Sequence, residues 1–368
     1  MGRDPVKSVF SGRVLALTIY PALSLLSAYL ILGHLFEFYS PLRSEYCSPS
    51  TKNGSTYALP YTGFQRLDYE LCFMVSVFHA AINDSIGYTF LKYFLGTSSI
   101  YIVLPCLEAL RPPNAAGDEG RLGRSLRWPA SWLQATQVVT LGVTMPVWGL
   151  VVSLVRMQDS TAYLEAKEDQ KRRTGADNQE NRPAIPTAHD VLSIIPSVVF
   201  GGALPSYAFF HYQDPKITVL WQIFPIYVFL AGWIYRRLAN LAHSHSTTSV
   251  KDASRFILIA SFLTSAYFHL IIVWPLFVSG DVTSLQQLFL PAYSPTPATV
   301  ESSVVAFLRY DFHFAWISAL LVTFLTVRFQ SVWHAAQIVV VTSVGMVLVG
   351  PGAMVAGAAL WKEGGTLL

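Results

Sequence analysis

The chain has 368 residues, of which 52% are hydrophobic and only 13% are charged. Because an average soluble protein carries about 25% charged residues, this composition excludes a water-soluble globule and indicates that lipid surrounds most of the chain. The formal net charge of +3 is too small to indicate a nucleic-acid partner.

Long apolar stretches follow one another along the chain and predict an all-α, polytopic transmembrane helix bundle with eight or nine spans. About 20 apolar residues are needed to cross a bilayer. The second stretch is the weakest, because it is short and begins with Asp68 and Glu70, so it is either a span or an interfacial helix. The predicted spans are about residues 14–36, 67–83, 86–110, 130–155, 190–210, 217–235, 255–278, 302–326 and 331–356.

A polar, charged stretch divides the chain into two apolar parts. We expect residues 1–157 to form N-terminal transmembrane helices, residues 158–189 a flexible polar loop, and residues 190–368 C-terminal transmembrane helices. Prolines inside several spans predict kinks that widen the space between helices. A bundle with many kinks can hold an internal cavity.

The charges of the loops indicate an orientation in the membrane. Segment 156–182 has six Lys and Arg residues and segment 236–255 has four, which favours the cytosol for both. The loop 37–66 then faces the lumen, where its sequon at Asn53 predicts a glycoprotein. The four arginines of segment 111–127 disagree with this orientation.

Cysteine spacing and missing motifs argue against a metal or cofactor. The three cysteines, Cys47, Cys72 and Cys106, are odd in number and far apart, and no CxxC motif occurs. We therefore expect neither a metal site nor a disulfide framework. The paired-aspartate motifs that hold magnesium diphosphate are missing, which argues against prenyltransferases and ionisation-type terpene synthases. We expect the protein to work without a cofactor.

Two carboxylates, Glu108 and Asp311, lie inside apolar runs. Placing a carboxylate at the centre of a membrane helix costs about 2.5–3.5 kcal/mol, so such residues usually face the bundle interior and serve a function. Glu108 lies near the end of its span and shares a helix face with Arg111, so an interfacial ion pair is the alternative to catalysis. Asp311 is deeper, and Arg309, two positions away, lies on the other side of the helix.

Aromatic residues are frequent near Asp311. Phe307 and Phe314 share its helix face at spacings of four and three residues. A carboxyl group in such dry surroundings favours its neutral form and can donate a proton. The rings either stabilise a cation through their π-faces or only pack the helices. The predicted catalytic residues are Asp311 and Glu108, and the predicted substrate-binding residues are Arg309, Tyr310, Phe307, Phe314, Trp274 and His313.

A buried acid, a dry cavity, many aromatic rings and no metal suit one reaction class. The acid protonates an epoxide or a terminal alkene, and internal double bonds attack the resulting cation. The aromatic rings stabilise the positive charge, and exclusion of water keeps the cation from being quenched.

Two segments contain the two predicted acids, Leu104-Pro105-x-x-Glu108-x-x-Arg111-Pro112 and Arg309-Tyr310-Asp311-Phe312. Through these segments the sequence resembles the fungal membrane-bound terpene cyclases of meroterpenoid pathways, in particular the longer ascochlorin, ascofuranone and macrophorin type. The resemblance implies a prenylated phenol or its epoxy-farnesyl form as the substrate, and a multi-pass location in the endoplasmic reticulum membrane. It also implies that Glu108 and Asp311 are the acids. The long polar loop departs from the shorter members of the family.

Two other functions are compatible with the same residues. A transporter of a lipophilic metabolite would place Asp311 and Arg309 along a path through the membrane. A structural or assembly subunit would use the buried charges only to bind other helices.

Overall fold

The computed structural model describes residues 5–48, 57–111, 121–172, 186–242, 248–291, 299–326 and 332–365. These residues form helices joined by short connections, and none of them belongs to a β-strand. The predicted all-α class is therefore confirmed. The helices are α1 (Pro5–Tyr46), α2 (Gln65–Asn83), α3 (Ser85–Thr97), α4 (Ser99–Ala109), α5 (Arg121–Leu126), α6 (Pro129–Val139), α7 (Leu141–Arg172), α8 (Ala188–Leu192), α9 (Ile194–Pro196), a π-helical segment (Ser197–Ala203), α10 (Leu204–Tyr212), α11 (Pro215–Gln222), α12 (Phe224–Leu241), α13 (Val250–Val278), α14 (Val282–Phe289), α15 (Val300–Leu325), α16 (Val332–Val349) and α17 (Pro351–Gly365).

The described residues contain fewer spans than the sequence predicts. Five helical stretches are long and apolar enough to cross a bilayer, and α11 with α12, bent by 58°, would make a sixth. The bundle is confirmed as polytopic, but the predicted number of eight or nine spans is too high. The five stretches are Gly12–Tyr46, Ser85–Ala109, Ala188–Tyr212, Val250–Val278 and Val300–Leu325.

One predicted span, residues 130–155, is a helix hairpin. The backbone turns at Thr140, which has a φ of 81°, and α6 and α7 pack against each other on either side of it. Further along α7, Arg156 contacts Glu108 at the end of α4. The chain therefore leaves α4 and returns along α7 at the same end of the bundle, which makes the hairpin re-entrant.

A second hairpin replaces the predicted span 331–356. Gly350, with a φ of 88°, forms the turn between α16 and α17. The rings of His334 and Trp361 lie 6.1 Å apart near the open end of this hairpin. Near its tip, Trp274 Nε1 donates a hydrogen bond of 2.9 Å to the Leu348 carbonyl. Apolar length alone does not distinguish such hairpins from single spans, which is why the predicted number was too high.

The first hairpin also removes the disagreement over loop charge. Because α6 and α7 enter and leave at one end, Arg111 and Arg156 lie together there, within 3.1 Å of the same Glu108 carboxyl group. Arg111, which follows α4, and Arg156 of α7 therefore lie at the same end of the bundle, as the positive-inside rule favours.

Three long helices form the centre of the bundle. α15 packs against both α1 and α7, and α1 packs against α7. Gly149 on α7 permits the close approach, because a Cβ there would lie 2.6 Å from the Tyr20 ring and 2.9 Å from Val322. This packing brings the middle of α15 against the beginning of α7.

The predicted polar loop 158–189 contains helical structure at both ends. Residues 158–172 continue α7, and Thr187 caps α8 through a reciprocal pair of hydrogen bonds with Asp190. Residues 173–185 lie outside the described part of the chain. The predicted three-part division of the chain stays a prediction.

A disulfide joins Cys47, just after α1, to Cys72 on α2. The prediction that no disulfide framework exists was wrong, because the odd count conceals one pair and a buried free Cys106. Disulfides persist in oxidising compartments, so this end of α1 fits the lumenal side proposed from loop charge. The predicted sequon at Asn53 lies outside the described residues.

The disulfide predicts a specific labelling result. Chains denatured without a reductant should react with one maleimide, because only Cys106 carries a free thiol. Chains denatured after reduction should react with three, since all of the cysteines are then free. Intact-protein mass spectrometry counts the labels, and three labels without reduction would contradict the pairing.

Candidate active site

A cavity of about 1220 Å³ lies between the helices. Its wall is mainly apolar and rich in aromatic rings from both halves of the chain. These rings belong to Tyr39, Phe73, Phe78, Tyr88, Phe94, Tyr101, Tyr207, Phe210, Trp221, Phe224, Phe268 and Phe307. The cavity is thus an apolar chamber with many π-faces.

Two carboxyl groups line this cavity within the described residues, and they differ in environment. Glu70 is exposed and forms an ion pair of 2.7 Å with Arg43, whose guanidinium also lies 4.1 Å from the Tyr69 ring centre. Asp311 is buried, with an exposed fraction of 7%. Asp311 is therefore the cavity carboxyl group that is shielded from water.

The beginning of α7 positions the Asp311 carboxyl group. The Gly142 N–H donates a hydrogen bond of 2.5 Å to Asp311 Oδ1, and the Leu141 N–H faces the same group. The Thr140 hydroxyl lies beside it, outside hydrogen-bonding geometry. Helix N-termini hold carboxyl groups well, because their first N–H groups lack partners within the helix. The re-entrant hairpin therefore orients Asp311 at the cavity wall.

The turn that places these N–H groups is strained. Thr140 has a φ of 81° and a ψ of 157°, a region that is essentially restricted to glycine. Such a conformation costs about 1–3 kcal/mol and occurs mainly at functional sites. Thr140 also lines the cavity beside Asp311, so the strain lies where the chemistry is expected.

Gly142 permits the contact between α7 and α15 and predicts a mutational effect. A Cβ at this position would lie 2.6 Å from the Asp311 carbonyl oxygen and 2.9 Å from Ile31 Cδ1. We expect Gly142→Ala to displace α7 from Asp311, to lower stability by about 1–3 kcal/mol and to remove most activity. Thermal unfolding in detergent and substrate turnover measure these effects.

Gly33→Ala is the matched control for this substitution, because a Cβ at Gly33 meets nothing within 4 Å. Unchanged stability and turnover in Gly142→Ala would contradict the proposed role of the α7 N-terminus.

Glu108 belongs to a different structure, a buried ion cluster at one end of the bundle. Arg156 donates hydrogen bonds of 2.9 and 2.7 Å to its carboxylate, and Arg111 lies 3.1 Å from it. Arg111 also pairs with Glu363 of α17. Burial alone would lower the pKa of Arg111, but Glu108 and Glu363 raise it above its ordinary value.

The ion cluster gives Glu108 a task other than proton donation. A carboxylate that accepts hydrogen bonds from one guanidinium group and forms an ion pair with a second is held ionised and has no proton to give. Glu108 also lies outside the cavity lining. Its contacts instead join α4, α7 and, through Arg111, α17. The catalytic role of Glu108 stays a prediction that this arrangement does not favour.

The predicted substrate-binding residues separate into one that lines the cavity and five that do not. Phe307 lines it one helical turn from Asp311, with its ring 5.6 Å from Phe38 in a T-shaped arrangement. Phe314 is buried away from the cavity lining. Arg309 donates to the Leu290 carbonyl at 3.2 Å and to the Gln287 carbonyl. It therefore caps the end of α14, and its role in substrate binding stays a prediction.

The remaining three predicted residues support neighbouring helices. His313 Nε2 is 2.7 Å from the Phe289 carbonyl, and Nδ1 accepts a 3.1 Å hydrogen bond from Trp316. Tyr310 stacks on His34 with ring centres 5.3 Å apart. Trp274 holds the tip of the α16–α17 hairpin. Sequence position cannot separate these structural contacts from cavity contacts, because aromatic residues in apolar runs serve both purposes.

Four polar residues of the cavity wall were not predicted from the sequence, although each has a buried side-chain atom without a hydrogen-bond partner among the described residues: Ser99, Tyr101, Thr140 and Gln222. The Tyr101 hydroxyl and both amide atoms of Gln222 are buried and have no hydrogen-bond partner among the described residues. Buried polar groups are usually paired, so unpaired groups at a cavity suggest ligand contacts. The sequence signal that could have identified two of them is a tyrosine and a glutamine within apolar runs. Such residues are also common where helices only pack together.

The part of the chain that the structure describes holds no cluster of candidate metal ligands. No group of three or more His, Cys, Asp or Glu side chains converges there. The expectation of a reaction without metal or cofactor stays a prediction.

Comparisons with known proteins give one family. The family model described as the CtvD domain matches residues 20–363. No curated protein and no solved structure matches the chain. The match is consistent with a terpene cyclase-related enzyme in a multi-pass membrane protein. Because it covers nearly the whole chain, this protein belongs to the CtvD domain family.

Proposed function

We propose that this protein is a membrane terpene cyclase that starts its reaction by protonating an epoxide or terminal alkene of a farnesylated aromatic substrate. The observation that carries the proposal is the position of Asp311. It is the buried carboxyl group on a large cavity lined by aromatic rings. An acid in that position can donate a proton where water would not quench the product cation.

The cavity wall supports the cationic part of this reaction. Phe307 lies one turn from Asp311, and Trp221 and Phe268 line the chamber from α11 and α13. A cation near the face of such a ring is stabilised by about 0.5–2 kcal/mol. Several rings around one chamber therefore favour a charge that moves along the folded chain of the substrate.

The proposed reaction conserves atoms and charge. Asp311 gives its proton to the epoxide oxygen or the terminal alkene carbon, and an internal double bond attacks the carbon that becomes cationic. The last cation loses a proton to the Asp311 carboxylate that the first step leaves, so one proton enters the substrate, one leaves it, and the acid is restored. The product is an isomer of the substrate, and no oxidant, reductant or metal is needed.

The size and polar lining of the cavity support an amphipathic substrate. Its volume of about 1220 Å³ exceeds the ~300–1,000 Å³ of pockets for drug-sized ligands, which leaves room for a farnesyl chain with its aromatic head. The unpaired Gln222 amide can donate a hydrogen bond through its NH₂ group and accept one at its oxygen, which suits a phenolic or carbonyl head group. We assign the head group to Gln222 and the reacting end to Asp311.

The endoplasmic reticulum membrane is the proposed location. The Cys47–Cys72 disulfide suits a segment exposed to an oxidising lumen. Arg111 and Arg156 lie together at the Glu108 cluster, as expected for a cytosolic end. Glycosylation at Asn53 belongs to the same proposal and would add mass that an N-glycosidase removes.

A turnover assay tests the proposed function. Membranes containing the protein are incubated with an epoxy-farnesyl phenol or with the corresponding terminal alkene, and membranes without it serve as the control. A product of unchanged mass and altered retention time in liquid chromatography supports a cyclase. Unchanged substrate in both reactions, with an active reference enzyme alongside, would contradict it.

The same preparation distinguishes the transporter alternative. Sealed vesicles would accumulate the lipophilic compound without chemical change if the protein were a transporter. Accumulation that depends on the protein and occurs without any isomer would favour transport over cyclisation.

A further inference from the structure

The Tyr101 side chain is an unused hydrogen-bond donor in the cavity wall. Only 2% of the residue is exposed, and its hydroxyl has no partner among the described residues. It lines the same cavity as Asp311, within range of electrostatic interaction with that carboxyl group. The Thr140 hydroxyl, also buried and unpaired, lies beside Asp311 as well. Two unpaired hydroxyl groups therefore accompany the proposed acid.

The chemistry of these groups restricts what can occupy the cavity next to Asp311. A buried hydroxyl without a partner is destabilising, and a ligand that supplies an acceptor removes that cost. An epoxide oxygen has two lone pairs and can accept from both a carboxylic acid and a phenol. A terminal alkene has no such acceptor and would leave the Tyr101 hydroxyl unpaired.

We propose that Tyr101 and Asp311 jointly bind one oxygen atom of the substrate, so that the site selects a terminal epoxide over a terminal alkene. This inference rests on the proposed cyclase function and names the substrate class of that site. Asp311 transfers its proton to the epoxide oxygen as the C–O bond breaks, and the bonding electrons stay on oxygen. Tyr101 keeps its own proton and stabilises the same oxygen through a hydrogen bond during ring opening.

Tyr101→Phe is the variant that tests the assignment, since it removes the hydroxyl and keeps the ring. The matched control is Tyr93→Phe. Tyr93 is also buried, but its hydroxyl pairs with His269 at 3.0 Å and lies outside the cavity lining. Rates with the epoxide and with the alkene are measured for the parent and both variants.

We expect the parent to prefer the epoxide. Tyr101→Phe should lower kcat/KM for the epoxide by about 10²-fold, the usual effect of losing one donor to a developing oxyanion. Its slow rate with the alkene should not change. Tyr93→Phe should lower thermal stability and leave the ratio of the two rates as in the parent.

Two results would overturn the assignment while the cyclase function stands. One is a parent enzyme that cyclises the alkene faster than the epoxide. The other is an epoxide rate in Tyr101→Phe equal to that of the parent.

Ligand-induced thermal stabilisation tests the assignment without turnover. The epoxide should raise the melting temperature of the parent more than that of Tyr101→Phe, and the alkene should affect both equally. If the parent converts neither compound, the cyclase proposal fails. If the epoxide then raises the melting temperatures of the parent and of Tyr101→Phe by the same amount, the proposed role of Tyr101 is rejected as well.

Discussion

Asp311→Asn is expected to abolish cyclisation while the protein stays folded. The amide has no acidic proton, and loss of a general acid lowers rates by ~10²–10⁴-fold. The amide oxygen can still accept the Gly142 N–H that now binds Asp311 Oδ1, so the junction of α7 and α15 keeps its hydrogen bond. Turnover of the epoxy-farnesyl phenol is measured beside thermal unfolding of the same preparation.

Asp252→Asn is the matched control for Asp311→Asn. Asp252 lies in the exposed first turn of α13, where it bonds to the Ser249 cap, and it is not part of the cavity lining. The control should retain the parental rate. If Asp311→Asn turns over substrate at close to the parental rate, Asp311 is not the acid and the proposed mechanism fails.

We expect Glu108→Gln to lower the stability of the protein and to have little direct effect on the rate of cyclisation. The substitution leaves two arginines beside a neutral amide, and breaking a buried ion pair by removing one partner costs about 3–5 kcal/mol. Because Arg111 and Arg156 are 27% and 18% exposed, water lessens the effect, and we expect the lower end of this range. Thermal unfolding in detergent should show a lower midpoint, and the folded fraction should still cyclise substrate.

Glu363→Gln provides the comparison for Glu108→Gln. Glu363 pairs with the same Arg111 but is 28% exposed, so its loss should cost about 0–1 kcal/mol. A Glu108→Gln protein with parental stability and no turnover would contradict this interpretation. That outcome would return Glu108 to the catalytic role that the sequence predicts.

The two carboxylates show how much of the site could be predicted. Both were selected because each interrupts an apolar run, and both are buried. Their surroundings differ in ways that sequence spacing reveals only in part. The pairing of Glu108 with Arg111 follows from their three-residue separation, but Arg156 comes from a helix 48 residues away. Phe307 was predictable for the same local reason, since it lies one turn before Asp311.

The membrane environment, the helical class and the two buried acids follow from the amino-acid order alone. Each depends on local properties, namely apolar content, run length and the energy of placing charge in lipid. The tertiary structure decided which apolar runs cross the bilayer and which turn back at Thr140 and Gly350. It also decided that Asp311 faces a cavity and Glu108 faces arginines. Those outcomes depend on contacts between residues far apart in the chain, and the length of an apolar run contains no information about such contacts.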